Sequence, residues 1–324
     1  MIMPRRRIIR SRVPPQPQTV ALVDYLASRF TYLSPDRWRD EIAAGRILLD
    51  DARVTDPGRL LYGGELLAWH AGPIAEPAVD EGVAVLYEDE DWIAVNKTGN
   101  LPVHPSGRYF HHTLTALLEE RCGRRVYPAH RLDRETSGVV LLAFDGKTAG
   151  KLAGALIAGT KEYLALVHGH CPAGEWTVDL PLGRAAGSAI AKKRLAWPGG
   201  EEKAVTRFYR ILSVADISLV RCFPETGRLH QIRAHLSAAG YPIVGDKLYG
   251  RDEKAFLEFL RDGSRAELEK SLLLPRQALH AVRVTLAHPR TGLAMTLRAP
   301  LPKMFADFIR VRKTTLPATQ LFPA

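Results

Sequence analysis

The sequence predicts an α+β protein in two parts, a small N-terminal module and a larger domain. Three observations carry this. A proline-, glycine- and acid-rich stretch, "HAGPIAEPAVDEG", separates residues 19–72 from a domain over 83–324, with the linker proper at 73–82. The segments "LHAVRVTLAHP" and "LAMTLRAPLP" alternate like strands of an antiparallel sheet. Strand-like and helix-like segments do not alternate regularly, which argues against a doubly wound α/β pattern.

The small module is legible residue by residue. In "SPDRWRDEIAAGRILL", Ser34 suits a helix N-cap, Pro35 the first helical position and Gly45 the stop. Trp38 and Ile42, four apart, share the buried face, leaving Arg37 and Arg39 on a cationic side. "RILLDDARVTDPGRLLYGGELLAW" follows as short β segments joined by Asp-Asp and Gly-Gly turns. This segment resembles the small αL-type RNA-binding module of one small-subunit ribosomal protein and many RNA-modifying enzymes. The resemblance implies that Arg37, Arg39 and Arg46 grip RNA backbone.

In the larger domain, "EDEDWIAVNKTGNLPVHPSG" reads as a strand over Trp92–Asn96, a Gly99-Asn100 turn and a short extended piece. "VYPAHRLDRETSGVVLLAF" is a loop leading into an apolar strand over Val139–Ala143. "GTKEYLALVHG" is a strand containing Tyr163. "TGRLHQIRAHLSAAGYPIVGDKLYG" begins as a turn at Thr226-Gly227 and becomes a helix stopped by Gly240. There Leu229, Ile232 and Leu236 form the apolar stripe, and Arg233 lies off it.

Composition bounds the partners. The chain has 324 residues, 46% of them hydrophobic, enough for a proper core. Lys and Arg outnumber Asp and Glu by 45 to 35, a formal charge of +10. That favours a polyanion, nucleic acid ahead of an anionic membrane surface. No apolar run approaches the roughly 18 residues of a membrane span, so no membrane partner is expected. Residues 1–18 carry Arg5, Arg6, Arg7, Arg10 and Arg12 without the apolar core of a signal peptide and read as a flexible basic arm. Cys122, Cys171 and Cys222 form no Cys-x-x-Cys pair, which points to reduced thiols, a cytoplasmic chain and no zinc site. His104, His111, His112 and His130 fit no standard metal spacing, so no metal is assigned.

Asp133 is the residue that raises a chemical question. It sits between Arg131 and Arg134 at the mouth of the apolar strand. Spacing leaves two readings open: an exposed loop ion pair contributing at most about 1 kcal/mol, or a carboxylate kept ionised for use as a nucleophile or electrostatic stabiliser.

"HRLDRETSG", "KEYLALVHG" and "TGRLHQIRAHLSAAGYPIVGDKLYG", in that order, resemble the motifs of the RluA-type pseudouridine synthases, and "VNKTGNLPVHP" and "LHAVRVTLAHP" fit the flanking segments. The similarity spans nearly all of residues 83–308. Thr98 follows Lys97 where that family usually has proline. The resemblance implies a mixed, largely antiparallel central sheet flanked by helices and a monomeric enzyme. It also implies isomerisation of uridine in ribosomal or transfer RNA, with no cofactor. It makes Asp133 the catalytic aspartate, Tyr163 the active-site tyrosine and Arg233 the partner of the carboxylate. Arg131 fills the gap left by a flipped nucleotide, and His130, Arg228 and Lys161 are candidate RNA contacts. Lys192, Lys193 and Arg194 read as a solvated basic cluster.

Two rivals stand beside this. A hydrolytic glycosidase usually needs two carboxylates some 5 to 10 Å apart, and Glu135 is the only acid close in sequence to Asp133. A non-catalytic RNA-binding or ribosome-assembly factor accounts for the basic charge but has no use for the set Asp133, Tyr163, Arg131 and Arg233.

Overall fold

The computed structural model describes residues 8–15, 19–30, 33–72, 76–185, 187–188, 190, 192–250 and 272–312. The chain divides into two compact units, Met1–Ala78 with His104–Gly123, and Val79–Val103 with Arg124–Ala324.

The first unit orders β1 (Ile8–Arg12), β2 (Val20–Ala21), α1 (Leu22–Arg29), α2 (Pro35–Ala43), β3 (Ile47–Leu49), β4 (Ala52–Val54), β5 (Leu60–Leu61) and β6 (Leu66–His70). Its main sheet runs β1-β6-β3-β4, and β2 pairs with β5. The helix signals act as the sequence predicts: Ser34 accepts from the Arg37 amide, Pro35 opens α2, and Gly45 takes the left-handed φ of +63° past its end. The Asp50-Asp51 turn also has both residues at positive φ, as a tight hairpin requires. Trp38 and Ile42 are fully buried with Trp69, Leu67 and Ile47.

Two boundaries differ from the sequence reading. Residues Ile8–Arg12, expected in a flexible arm, pair antiparallel with Leu66–His70. Ile9 and Val13 turn inward onto the core, which ties the strand down. His104–Gly123, expected in the larger domain, clusters with the first unit. There the Glu76 carboxylate accepts from the backbone amides of Phe110, His111 and His112 at 2.8–3.0 Å. These lead into α3 (Leu114–Cys122), capped by Thr113 and stopped by Gly123.

The second unit holds a ten-stranded sheet of order β12-β15-β16-β11-β17-β10-β8-β7, with β9 against β10 and β18 against β17. Its elements are β7 (Ala84–Glu88), β8 (Trp92–Lys97), β9 (Tyr127–Pro128), β10 (Ser137–Ala143), α4 (Gly146–Ala158), β11 (Thr160–His168), β12 (Glu175–Asp179), the hairpin β13 (Leu182–Arg184) and β14 (Arg194–Ala196), β15 (Val205–Val214), β16 (Ile217–Pro224), α5 (Gln231–Ala238), β17 (Leu279–Ala287), β18 (Ala294–Arg298) and α6 (Lys303–Arg312). Only β10 and β17 run parallel, so the sheet is mixed and largely antiparallel.

Every residue of β10 is buried, as its apolar run dictates. Val139 and Leu141 meet Leu152 and Leu156 of α4, each such side chain contributing about 1.5–3 kcal/mol. Gly138 has φ +116°, and a Cβ there would lie 2.2 Å from the carbonyl oxygen of Ala281. Only glycine lets β17 approach so closely. The packing fixes the start of β10, and with it the preceding turn that carries Asp133.

Candidate active site

The turn before β10 is pinned from several sides. Thr136 N–H donates to the Asp133 carbonyl at 3.1 Å, and Leu101 N–H to the Arg134 carbonyl at 3.0 Å. Lys97, fully buried, donates to the carbonyls of Thr98, Leu101 and Arg134 at 2.7, 2.8 and 3.1 Å. Burial and then the Arg276 guanidinium pull its pKa down to about 7. Arg276 itself donates to the Glu135 carbonyl at 2.9 Å. The Asp133 backbone therefore has little freedom, and its side chain, 19% exposed, is aimed by the fold.

That side chain meets α5. Arg233 Nη1 donates to Asp133 Oδ2 at 2.6 Å. The other edge of the guanidinium donates through Nε and Nη2 to the two oxygens of Asp246 at 2.7 and 2.9 Å. Asp246 is wholly buried and also accepts from the amides of Leu248 and Tyr249. The Tyr249 ring lies 4.9 Å from the guanidinium carbon, a cation–π contact. The sequence placed Arg233 off the apolar stripe, and so it is, but that side of α5 faces a carboxylate. Residues 231–236 are all buried.

Electrostatics follow from this geometry. Burial pushes the Asp133 carboxyl up, but Arg233 foremost, then His230 and Arg131, outweigh it and hold the pKa below the ordinary aspartate range. Asp246 is likewise lowered against its burial by Arg233. Burial, then the Asp133 carboxylate, push the Tyr163 phenol above its usual value, so it stays protonated. Tyr163 sits half-buried in β11 beside Cys222 of β16 and Ala281 of β17.

His230 completes the surroundings. It caps α5 in a left-handed conformation, with Nε2 3.7 Å from Asp133 Oδ2 and Nδ1 3.0 Å from the Tyr249 hydroxyl. That hydroxyl also accepts from the Arg194 amide at 2.9 Å, which ties the imidazole, the tyrosine and β14 together. Burial and then Arg233 lower the His230 pKa to about 4, so the ring is neutral near pH 7.

The predicted RNA contacts divide. Arg131 is exposed beside Asp133. Arg228 is exposed, its Nε donating to the Lys203 carbonyl at 3.2 Å. Lys161 is half-buried in β11, and burial lowers its pKa. His130 is a structural acceptor: its Nε2 takes the Leu141 amide proton at 3.1 Å, and burial, then Lys161, drop its pKa to about 4. A neutral ring bonded to β10 does not offer a cation to phosphate.

In the first unit the expected cationic face is absent. Arg37 pairs with Asp40 at 3.5 Å and Arg39 with Asp36 at 2.5 Å. Arg46 grips Glu41 through Nε and Nη2 at 2.7 and 2.6 Å, and Trp69 Nε1 donates to the same carboxylate. Two helix arginines against three helix acids leave α2 without excess positive charge.

Glu135, the acid closest in sequence, is bound by Arg134 and Lys247 at 3.0 and 2.7 Å. The second carboxylate at the site is Asp246, which sequence reasoning passed over although "VGDKLYG" lies inside a motif it quoted. Its only sequence signal is an acid in a short Gly-bounded segment, 13 residues beyond Arg233, a separation no local rule reads. Tyr249 was missed for the same reason, and His230, although three residues before Arg233, has its partners Asp133 and Tyr249 far along the chain.

This fold and site define an enzyme that presents one ionised carboxylate, guanidinium-held, beside a protonated tyrosine. Residues 91–238 match the RNA pseudouridylate synthase family. The chain is 31% identical over 296 residues to the ribosomal large subunit pseudouridine synthase D of Zymomonas mobilis, covering 86% of this chain and 89% of that one. It is 35% identical over 241 residues to the mitochondrial tRNA pseudouridine(32) synthase of Saccharomyces cerevisiae, covering 72% of this chain and about half, 51%, of that one. The structure of human RNA pseudouridylate synthase domain containing 4 superposes with a TM-score of 0.53 at 26% identity, over 69% of this chain and 90% of that one. The chain belongs to the RNA pseudouridine synthases, isomerases that convert uridine to pseudouridine, and the non-catalytic alternative is set aside. Among the described residues, no helix is long and apolar enough to cross a membrane.

Proposed function

We propose that this protein isomerises specific uridines in structured RNA, ribosomal RNA before transfer RNA, with Asp133 as the essential carboxylate. The observation that carries the reading is the 2.6 Å bond from Arg233 to Asp133, which holds a partly exposed acid ionised.

The reaction breaks the bond between ribose C1′ and uracil N1 and forms one between C1′ and C5. The C5 proton is lost and N1 gains one, so the product is an isomer and no cofactor enters the balance. Asp133 attacks C1′ or assists departure of the uracil anion. Arg233 keeps it charged for either role. Tyr163 supplies a ring for the base and a hydroxyl for proton transfer. The target nucleotide must leave its stack, at a few kcal/mol, and the exposed Arg131 guanidinium suits the vacated place. Arg228 and Lys161 hold flanking phosphates.

The ribosomal preference rests on coverage. The match to the relative named for the ribosomal large subunit takes in 89% of that protein, against 51% of the one named for transfer RNA. Under this reading the chain works as a cytoplasmic monomer. Mapping pseudouridines in total RNA from cells with and without the gene tests it. Loss of discrete ribosomal sites is expected, and unchanged maps in every RNA class would overturn it.

A further inference from the structure

The charge neutralisation of α2 leaves open which face of the first unit meets RNA. The sheet register answers it. Arg10 lies opposite Ala68, Ala68 opposite Leu48, and Leu48 opposite Arg53. Residues directly opposed in an antiparallel ladder share a face, so these four form one row across all four strands. The alternate residues Ile9, Leu67, Trp69, Ile47, Leu49 and Val54 pack into the core, which puts the row on the outer face.

That face has the chemistry of a polyanion platform. Arg10 and Arg53 end the row, exposed, and among the described residues neither has an acidic partner. Three strand spacings of about 4.8 Å set their Cα atoms about 14 Å apart. Arg12, two residues along β1, shares the face and is tethered by a bond to the Gly64 carbonyl at 2.7 Å. Between the exposed guanidinium groups lie Ala68, 2% exposed, and half-buried Leu48, and no strand position on this face is acidic. The contrast with Arg37 and Arg39 of α2, which face Asp40 and Asp36, and with Arg46, which faces Glu41, is one of free against neutralised cations.

We propose that this outer sheet face, through Arg10, Arg12 and Arg53, is the RNA-backbone contact of the first unit. The choice of RNA as occupant rests on the proposed function and on charge complementarity. Backbone contacts of this kind position a substrate without reading its sequence, so the face supplies affinity while the second unit supplies chemistry.

The test uses the full-length protein and a fluorescein-labelled, uridine-containing RNA duplex. Arg10→Gln/Arg53→Gln removes the ends of the row and spares the tethered Arg12. Arg37→Gln/Arg39→Gln does the same to α2. Binding is read by anisotropy across a salt series, with thermal melts to verify folding. The sheet-face variant is expected to bind about tenfold or more weakly, with the slope of log affinity on log salt reduced by about 2, one per phosphate contact. The helix variant should stay within about twofold of wild type, since its arginines already have partners. Unchanged binding and slope in the sheet-face variant, or equal loss in both, would overturn the assignment. Tritium release from RNA labelled at uracil C5 is followed in parallel. Failure of the wild type to release tritium counts against the proposed function, whereas the comparison of variants judges the surface alone.

Discussion

Asp246 grips Arg233 through two bonds, at 2.7 and 2.9 Å, from a position with no solvent exposure. The guanidinium reaches Asp133 with its remaining edge. Asp246 therefore sets the angle at which the cation meets the Asp133 carboxylate. Under the proposed function it is a positioning residue that acts through Arg233.

Asp246→Asn tests that layer. The amide oxygen keeps the bonds from the Leu248 and Tyr249 amides, while its NH2 opposes Arg233 Nε–H, donor against donor. The single-turnover rate is expected to fall about 10- to 100-fold with RNA affinity retained. Loss of one partner of a buried pair should also cost about 3 kcal/mol, visible in a denaturant melt. A wild-type rate would show that Arg233 needs no anchor.

Arg233 governs the pH dependence. The folded pKa of Asp133 is depressed, so the stability its ionisation contributes is present above the unfolded value of about 3.9 and lost as pH falls through the folded pKa. Wild-type activity should show no acid limb from Asp133 between about pH 5 and 8. In Arg233→Met, burial loses its largest opponent, leaving only His230 and Arg131 against it, and the pKa rises, moving an acid limb into that window. Rate–pH profiles of the two proteins check it, and superimposable acid limbs would refute it.

Tyr163 keeps its proton well past the ordinary tyrosine range because burial and Asp133 both oppose ionisation. Tyr163→Phe retains the ring but loses the hydroxyl. RNA binding should change by less than about twofold, while the isomerisation rate drops about 100-fold or more. The split between equilibrium binding and single-turnover rate decides it.

Much of this was legible in the sequence because it was local. The α2 caps, the Asp-Asp hairpin and the buried run of β10 each follow from residues a few positions apart. Asp133, Tyr163 and Arg233 were singled out by the resemblance of short motifs, not by spacing, and the structure brings Arg233 onto Asp133. What was not legible was long-range pairing. The strand Ile8–Arg12 needed β6 to declare itself, and its pairs run from Arg12↔Leu66, 54 positions apart, to Ile8↔His70, 62 apart. The neutralisation of Arg46 needed Glu41 and Trp69 in one place. Asp246 and His230 became visible only when Arg233 and Tyr249 stood between them.

Gly138 shows how packing supports the chemistry. Gly138→Ala places a methyl 2.2 Å from the Ala281 carbonyl oxygen at a φ of +116°. The variant should lose about 3 kcal/mol or more and push the Asp133 turn away from α5. Thermal unfolding with a parallel activity assay checks both. An unchanged melting temperature would show that β17 yields to the methyl.

The central claim is that one ionised carboxylate, Asp133, does the chemistry. The direct measurement is tritium release by Asp133→Asn from RNA labelled at uracil C5, with RNA affinity measured on the same preparation. The account predicts no detectable release and near-wild-type binding. Release at the wild-type rate from a folded variant would contradict it.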